Sequence, residues 1–248
     1  METEKNFIGS IILGMGEVGQ AHYEILAQKY DVWGYDTKPE LCKSNSTQEP
    51  PPGQILHVCI RYTDQFFKAL DEAIPKYKPG YINICTTVPP GTTEKISSMA
   101  CHSTTRGLHP HLASGLKTIT KHIGGGMAPE LKQYFEYAGV PCEIHRLART
   151  TELLHILNNT HYGVNLAFAD EAAKLCREYG VDYYSYMKYC ETNNAGFTAL
   201  DHRTKVRPVL TPPNGRIGGH CVTMSAGLIP KEQRGILFER VATYNGGE

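Results

Sequence analysis

Apolar and polar residues alternate in blocks along the first 150 positions, and the blocks predict strands and helices in turn. Short apolar runs predict strands at 7–13, 31–35, 55–60, 81–85 and 142–147, with further candidates at 106–109 and 118–123. Apolar residues at helical spacing predict helices at 17–30, 65–77, 92–99 and 128–138, while 37–53 is predicted to be a loop or a short helix. This alternation predicts a parallel sheet with helices on both faces, the doubly wound α/β class.

The pattern changes after Leu147, where a helix is predicted over 150–179, capped by Thr150 or Thr151 and stopped by Gly180. Further helices are predicted at 181–192 and 231–244, with a structured loop at 208–219 between them. One face of the long helix carries six apolar residues: Leu153, Leu157, Val164, Phe168, Ala172 and Leu175. We therefore predict two domains, a nucleotide-binding domain over 1–148 and an all-α domain over 149–248.

Composition narrows the possible partners. Lysine plus arginine equals 25 and aspartate plus glutamate equals 25, so the chain has no net charge to attract nucleic acid or an anionic membrane. No apolar run reaches the roughly 20 residues of a membrane helix, and the N-terminus lacks the order of a signal peptide. Eight cysteines occur without any CxxC pair, which is typical of a reducing compartment. These features predict a cytoplasmic protein.

A glycine loop follows the first predicted strand and opens the first predicted helix. Gly14 permits the tight turn, Gly16 lets the backbone approach a pyrophosphate, and Gly19 allows close packing of helix on strand. The helix N-terminus at Glu17 and Val18 offers N–H groups and a positive dipole end to the phosphates. The alternative is a glycine-rich turn in an α/β domain that binds nothing.

An acidic residue supports the first interpretation. Asp36 closes the second predicted strand about 20 residues after the loop, where a carboxylate accepts the ribose hydroxyls of a dinucleotide. Its charge would repel a 2′-phosphate, so the sequence predicts NAD rather than NADP, bound to a Rossmann-type domain.

Three other segments carry candidate chemistry. Thr86 and Thr87 follow an apolar strand, so their hydroxyls either bind a water or substrate oxygen at the ligand edge of the sheet or serve an ordinary turn. His155 and Asn159 share one face of the long helix, where they either hold a substrate hydroxyl or are structural. Cys221 is predicted at the start of a helix beside His220, an arrangement that activates a thiol but also suits a core cysteine.

Together these segments resemble the nucleotide-sugar dehydrogenases, the group that acts on UDP-glucose and UDP-N-acetylmannosamine. The resemblance is carried by the glycine loop and by TTVPPGTT, ELLHILNNT and VRPVLTPPNGRIGGHC. It implies a two-step, NAD-dependent oxidation of a sugar alcohol in which Cys221 is the covalent nucleophile. It also implies that Thr87 binds a water, that Asn159 lies on the central helix and that Arg207 contacts the substrate. The remaining substrate candidates are Glu152, Gly218, Gly219, His220, His109 and His111.

The chain also departs from the family pattern. His155 stands where the family has a lysine, and Ser225 stands where it has an aspartate. The segment Leu108-His109-Pro110-His111 replaces a family SPE-type segment, and we expect no counterpart of the third, nucleotide-binding domain. The two histidines of this segment would need a third ligand to bind a metal ion, so we predict no metal site.

Three functions follow from these observations. The first is an NAD-dependent dehydrogenase with Cys221 as nucleophile and His155 as base. The second is a two-electron dehydrogenase of the β-hydroxyacid type, which needs no cysteine. The third is a degenerate NAD-binding protein without turnover. For the two enzymes, the predicted partner is a small-molecule substrate, a sugar nucleotide or a hydroxyacid. A second copy of the chain is also predicted as a partner, because the long helix forms the dimer interface in the family that the chain resembles.

Overall fold

The chain divides into two compact units, Met1–His155 and Ile156–Glu248. The computed structural model describes residues 9–108, 110–213, 217 and 220–244, without the side chain of His220. Within the described ranges, no helix combines the length and the apolar character needed to cross a membrane. The predicted domain boundary at 148/149 stays a prediction; the division into units falls a few residues later, inside the long helix.

The first unit contains one eight-stranded sheet flanked by helices. The strands are β1 (Ser10–Leu13), β2 (Val32–Tyr35), β3 (Lys43–Ser44), β4 (Ile55–Val58), β5 (Tyr81–Ile84), β6 (Ala100–Ser103), β7 (Lys121–Gly125) and β8 (Cys142–His145). The helices are α1 (Glu17–Leu26), α2 (Phe66–Tyr77), α3 (Thr92–Ile96), α4 (Leu112–Thr118), α5 (Ala128–Tyr137) and the start of α6 (Ala148–Glu178). The sheet order is β3-β2-β1-β4-β5-β6-β7-β8, which confirms the Rossmann-type class.

The alternation of elements had predicted a parallel sheet, but the observed sheet is mixed. β3 runs antiparallel to β2, and β7 runs antiparallel to β6, while β8 is parallel to β7. The predicted strand at 106–109 was wrong, because the fifth long strand is β6 and residues 112–118 form helix α4. The strand β6 escaped the pattern because His102 and Ser103, both fully buried, interrupt its apolar run.

The sheet separates two apolar layers. On β1, Ile12 packs into the layer beneath α1 and α5, whereas Ile11 packs into the layer beneath α2. This alternation follows from the two-residue repeat of a strand. Reversal of strand order between β1 and β4 then leaves a crevice at the carboxyl ends of these strands, where the glycine loop begins.

Both edges of the sheet are short or polar. β3 consists of the exposed residues Lys43 and Ser44. At the other edge, β8 spans four residues and exposes Glu143.

The second unit is helical in its described part. It contains most of α6, followed by α7 (Tyr183–Ala199), α8 (His220–Gly227) and α9 (Ile236–Ala242). Gly163 on α6 meets α8 and α9 so closely that a Cβ there would lie 2.6 Å from Val222 Cγ1 and 2.7 Å from Val241 Cγ1. A glycine is therefore required at this crossing.

The structure corrects several helix details. α6 begins at Ala148, so Thr150 and Thr151 lie within its first turn and do not cap it. Gly91, with φ +87°, is the N-cap of α3, and Thr92 is its first residue. α7 extends seven residues beyond its predicted end at Thr192, and α9 is shorter than 231–244.

Candidate functional site

The glycine loop between β1 and α1 has the steric form that its sequence predicts. Gly14 has φ +95°, and a Cβ there would meet the Cys59–Ile60 backbone at 2.9 Å. A Cβ at Gly19 would lie only 1.9 Å from Gly14 O. Gly16 is different, because a Cβ there would have no neighbour within 4 Å. Glu17 and Val18 begin α1, so the loop leaves open space directly at a helix N-terminus.

Asp36 follows β2, and its carboxylate is tied back to the glycine loop. Oδ2 accepts a hydrogen bond from Met15 N at 2.8 Å, and Oδ1 accepts one from Lys38 N at 3.0 Å. Partial burial acts to raise the pKa of Asp36, but the N–H groups of Lys38 and Met15 outweigh it, so the pKa is lowered. The carboxylate is therefore ionised and fixed beside the loop, with lone pairs left for other donors.

The two threonines after β5 have different surroundings. The Thr86 hydroxyl lies within hydrogen-bond distance of two backbone carbonyls, Ile60 O at 2.6 Å and Val58 O at 3.1 Å. It therefore fastens the end of β5 to the segment after β4. Thr87 is half-buried, and its hydroxyl has no recorded hydrogen-bond partner in the part of the chain that the structure describes. The Thr87 hydroxyl therefore keeps its proton for a bound molecule, whereas the Thr86 hydroxyl donates its proton to a carbonyl and retains only acceptor lone pairs. Cofactor binding by Thr86 stays a prediction.

His102 on β6 supports this strand end, although no pattern in the sequence indicates it. Its Nε2 lies 3.3 Å from Thr86 O, a carbonyl, so this nitrogen must be the donor. Its Nδ1 is therefore the acceptor for Thr151 Oγ1, at 2.9 Å. Burial, together with the neighbouring His155, lowers the pKa of His102 to about 3. His102 is thus a neutral link between Thr86 and α6.

His155 lies on α6 next to this link, with its ring centroid 6.3 Å from that of His102. Its side chain is buried, and Nδ1 has no hydrogen-bond partner among the described residues. Burial lowers the pKa of His155 to about 4, helped by the positive charges of Lys121 and Arg106. At neutral pH the imidazole is therefore uncharged and can accept a proton, but only weakly.

Glu152 has structural partners on α3. It is fully buried, and its Oε1 accepts a hydrogen bond from Thr93 N at 2.8 Å, while Oε2 accepts one from Gly91 N at 2.5 Å. The carboxylate thus satisfies backbone donors at the N-terminus of α3. A substrate contact by Glu152 stays a prediction.

In the second unit, Asn159 and Cys221 are connected through Ser225. Asn159 Nδ2 donates to Ser225 Oγ at 2.9 Å, and Ser225 Oγ donates to Cys221 O. Ser225 is fully buried, whereas Cys221 is exposed in the first turn of α8. Asn159 therefore positions the helix turn that carries the thiol.

The other predicted substrate residues lie in exposed or undescribed segments. Arg207 is exposed; its N–H donates to Asn194 Oδ1 at 2.9 Å, and its guanidinium lies 5.7 Å from the Phe197 ring centroid. His111 is the exposed N-cap of α4. Four predictions lie outside the described structure: His109, Gly218, Gly219 and the side chain of His220.

The chain is similar in sequence to dehydrogenases from archaea. No protein-family profile matches it. It is 24% identical to the UDP-N-acetyl-D-mannosamine dehydrogenase of Methanocaldococcus jannaschii, with 97% of the chain and 66% of that protein aligned. It is 27% identical to the enzyme of the same name from Methanococcus maripaludis, with 70% of the chain and 40% of that protein aligned. The chain thus spans about two fifths to two thirds of the length of these relatives.

Solved structures agree on the fold. The UDP-D-ManNAc dehydrogenase from Pyrococcus horikoshii superposes with a TM-score of 0.78 at 20% identity, covering 95% of this chain and 68% of that one. A 3-hydroxyisobutyrate dehydrogenase from Mycobacterium tuberculosis superposes with a TM-score of 0.69 at 12% identity, covering 95% and 91%. The resemblance inferred from the motifs is confirmed by the sequence relatives: the chain is related to the nucleotide-sugar dehydrogenases over the part of their length that it spans.

Proposed function

We propose that this chain is an NAD(H)-dependent dehydrogenase that oxidises an alcohol of a sugar nucleotide or a related substrate. The observation that carries the proposal is the loop after β1, in which two glycines are sterically required and a third opens onto empty space at a helix N-terminus. The fold itself does not require a glycine at position 16, because a Cβ there would contact nothing, whereas a bound pyrophosphate needs close access to the Gly16 backbone. The names of the sequence relatives support the same reaction class.

The fit to NAD rests on Gly16 and Asp36. The pyrophosphate would lie against the Gly16 backbone and the first turn of α1, and the Asp36 carboxylate would accept the ribose hydroxyls. Because this carboxylate is ionised and fixed by Met15 N–H, it opposes a 2′-phosphate and favours NAD over NADP. When bound, the nicotinamide would accept the hydride that leaves the substrate carbon.

The proton of the alcohol needs an acceptor, and His155 is the candidate in the first unit. Its Nδ1 is buried without a partner among the described residues, which leaves a lone pair or N–H for a bound molecule. The neutral ring accepts a proton without the fixed positive charge that the family lysine would supply. Thr87 would hold the water or the oxygen that shares this proton.

Cys221 is the proposed nucleophile for a second oxidation, on its resemblance to the family cysteine. Its backbone is held by Ser225, which in turn is held by Asn159. In this proposal Asn159 is a positioning residue, while the thiol forms the bond to an aldehyde carbon of the substrate. A two-electron enzyme of the β-hydroxyacid type would not need this thiol, so its loss separates the two reactions.

We further propose a homodimer formed through α6. The face that its apolar spacing marks is largely uncovered in the single chain: Leu157 is 42% exposed, Phe168 58% and Leu175 55%. Exposed apolar residues in a row on one helix are typical of an interface. A cytoplasmic location stays a prediction.

Coenzyme binding is the first test. Calorimetric titration of the purified chain with NADH and with NADPH should show tighter binding of NADH. Asp36→Asn should weaken NADH binding roughly 10- to 150-fold, because a charged hydrogen bond contributes about 1.5–3 kcal/mol, and it should reduce the preference for NADH over NADPH. Asp31→Asn, at the exposed start of the same strand, is the matched control and should leave both affinities unchanged.

Turnover is the second test. The chain is incubated with NAD and a panel of nucleotide sugars and small hydroxyacids, and NADH formation is followed by absorbance. The proposal expects a nucleotide sugar to be oxidised and Cys221→Ala to stop the reaction after one NADH per substrate. Hydroxyacid oxidation that is insensitive to Cys221→Ala would support the alternative enzyme. Tight NADH binding without turnover on any substrate would indicate a degenerate protein.

A further inference from the structure

A chain of polar side chains crosses the apolar layer between the sheet and helices α1 and α5. It begins at Ser10 on β1, whose Oγ lies 3.1 Å from His57 Nε2, and it continues from His57 Nδ1 to Asn83 Nδ2 at 3.0 Å. Asn83 Nδ2 also donates to Cys85 Sγ at 3.2 Å. Polar groups in such a layer are costly unless they are paired or bind something.

At its far end this chain reaches a group that we call the thiol–histidine cluster: three metal-binding side chains, His22, Cys59 and Cys85, and the amine of Lys121, which can bind a metal only when it is deprotonated. They come from α1, the ends of β4 and β5, and β7. His22 is 1% exposed, Cys85 3% and Lys121 1%. The ligand atoms of His22, Cys59 and Cys85 all lie within 4.8 Å of one another. The cluster lies inside the first unit.

The measured separations have the size of the edges of a metal tetrahedron. Zinc bonds of about 2.3 Å to sulfur and about 2.05 Å to nitrogen give edges of about 3.5 Å between N and S and about 3.3 Å between two N. His22 Nε2 lies 3.6 Å from Cys85 Sγ and 3.2 Å from Lys121 Nζ. Both separations from His22 Nε2 therefore match the corresponding tetrahedral edges to within about 0.1 Å.

The surroundings of His22 fix the tautomer that a metal requires. Its Nδ1 lies 2.9 Å from Val18 O, and because a carbonyl only accepts, Nδ1 carries the proton. In the neutral ring the lone pair is then on Nε2, which points at Cys85 and Lys121. A backbone carbonyl that orients a ligand histidine in this way is the usual outer partner of a metal site.

The surroundings of Cys85 suit a thiolate. Asn83 places one N–H on Cys85 Sγ and the other on His57 Nδ1, so both protons of its amide are used. N–H donors to sulfur stabilise a metal-bound thiolate. Ser103 Oγ lies at 3.8 Å on another side of the same sulfur.

We propose that the thiol–histidine cluster is a structural Zn²⁺ site, with Cys59 Sγ, Cys85 Sγ, His22 Nε2 and Lys121 Nζ as its four ligands. Sulfur and nitrogen donors in a tetrahedral arrangement select zinc over magnesium or calcium. On binding, the two S–H bonds and one N–H bond of the Lys121 ammonium break and the three protons go to solvent, two Zn–S and two Zn–N bonds form, and no electron is transferred. The amine binds in its neutral form, so two thiolates balance the charge of the ion.

This site lies directly beneath the glycine loop. Cys59 N donates to Leu13 O at 2.8 Å, and the Cys59 backbone is the surface against which Gly14 packs. An ion on Cys59 Sγ would therefore brace the turn after β1. The inference does not depend on the proposed dehydrogenase activity, since zinc is measured without coenzyme.

The test is metal content of the whole chain, expressed in zinc-supplemented medium and dialysed against a chelator resin. Elemental analysis should find about one zinc per chain, as expected for a site folded around its metal. His22→Asn and Cys85→Ser should each lose at least nine tenths of it. Asn keeps a donor for Val18 O while removing Nε2, so this variant is expected to fold. Lys121→Met should weaken zinc binding at least tenfold in a chelator competition.

Two controls give the test its specificity. Cys101→Ser changes a fully buried cysteine of β6 outside the cluster and should keep the zinc. His145→Ala removes one member of a second group, in which His122 Nδ1 lies 2.9 Å from His145 Nε2 and 3.8 Å from Glu143 Oε2. If zinc is lost from His145→Ala but kept in His22→Asn, the metal is at that second group and the proposal is wrong.

Cobalt gives a readout that needs no variant. Refolding the chain with Co²⁺ should produce a sulfur-to-metal charge-transfer band and the intense visible bands of tetrahedral coordination. Wild-type protein that contains less than about 0.1 zinc per chain and shows neither band with cobalt would overturn the proposal. Unchanged zinc affinity in Lys121→Met would remove the amine from the ligand set.

Discussion

The most discriminating substitution is Glu152→Gln, because the resemblance assigns Glu152 to the substrate whereas the structure gives it partners within the fold. Both of its oxygens accept backbone N–H groups at the start of α3, and the side chain is fully buried. Glutamine has the same shape, but its NH₂ group would face one of those N–H donors.

The cost can be estimated from the structure. One charged hydrogen bond, worth about 1.5–3 kcal/mol, is lost, and a buried N–H is left unpaired at about 1–3 kcal/mol. Because these terms overlap, we expect the free energy of unfolding of the first unit to fall by about 2–4 kcal/mol.

The chain provides its own probe for this measurement. Trp33 is the single tryptophan, it lies on β2 in the first unit, and it is 5% exposed. Its fluorescence during urea unfolding reports on that unit directly. Glu178→Gln, an exposed change on the same helix α6, is the control and should shift stability by no more than about 0.5 kcal/mol.

The competing result is equally definite. If Glu152→Gln leaves the urea midpoint of the Trp33 fluorescence transition unchanged and only raises the KM for the substrate, Glu152 does not stabilise the fold by capping α3. The substrate role implied by the resemblance would then be the better explanation.

Three further predictions concern other parts of the molecule. The pKa of His155 is lowered to about 4 and that of His102 to about 3, so both histidines favour the folded state above pH 6.5 and lose that contribution as the pH falls towards 4 and 3. The urea concentration at the midpoint of the Trp33 fluorescence transition should therefore fall over this pH range, and less steeply in His102→Gln. Ser225→Ala should speed alkylation of Cys221, because the helix turn that carries the thiol loses its hydrogen bond from Ser225. The control Thr192→Ala, at an exposed position, should leave the rate unchanged, and an unchanged rate in Ser225→Ala would show that Ser225 does not hold this turn. Phe168→Glu should halve the mass seen by light scattering, while Tyr137→Glu, at the same 58% exposure, should not; a monomeric wild type would refute the dimer.

The glycine loop could be predicted from the sequence because its requirements are local. Gly14 is required by its own positive φ and Gly19 by Gly14 O five residues earlier, although the Cys59–Ile60 backbone that also excludes a side chain at Gly14 lies far along the chain. Asp36 follows from the length of one helix and one strand. The long helix could be predicted for the same reason, since its apolar spacing is continuous over many turns. Its exposed apolar face was not evident, because spacing indicates which residues share a face but not what covers it.

The residues that the sequence did not reveal depend on partners far along the chain. His102 can be buried because it is hydrogen-bonded to Thr86 and Thr151, and Lys121 because it is hydrogen-bonded to His22 and Thr104. A polar residue in a strand predicts a solvent-facing position unless its partner is known. Strand β6 and the thiol–histidine cluster were therefore invisible to periodicity, although Cys85 was placed correctly in an apolar strand run and is buried.

The two outer strands of the sheet have a consequence for how copies of this chain meet. An open strand invites another backbone to extend the ladder, and repetition of that event leads to fibres. A two-residue strand carrying Lys43 at one border and a strand exposing Glu143 at the other offer poor templates for such growth. At high concentration, copies of the chain are therefore poorly suited to pair through their sheet edges. A finite assembly would instead form by side-chain packing between helices.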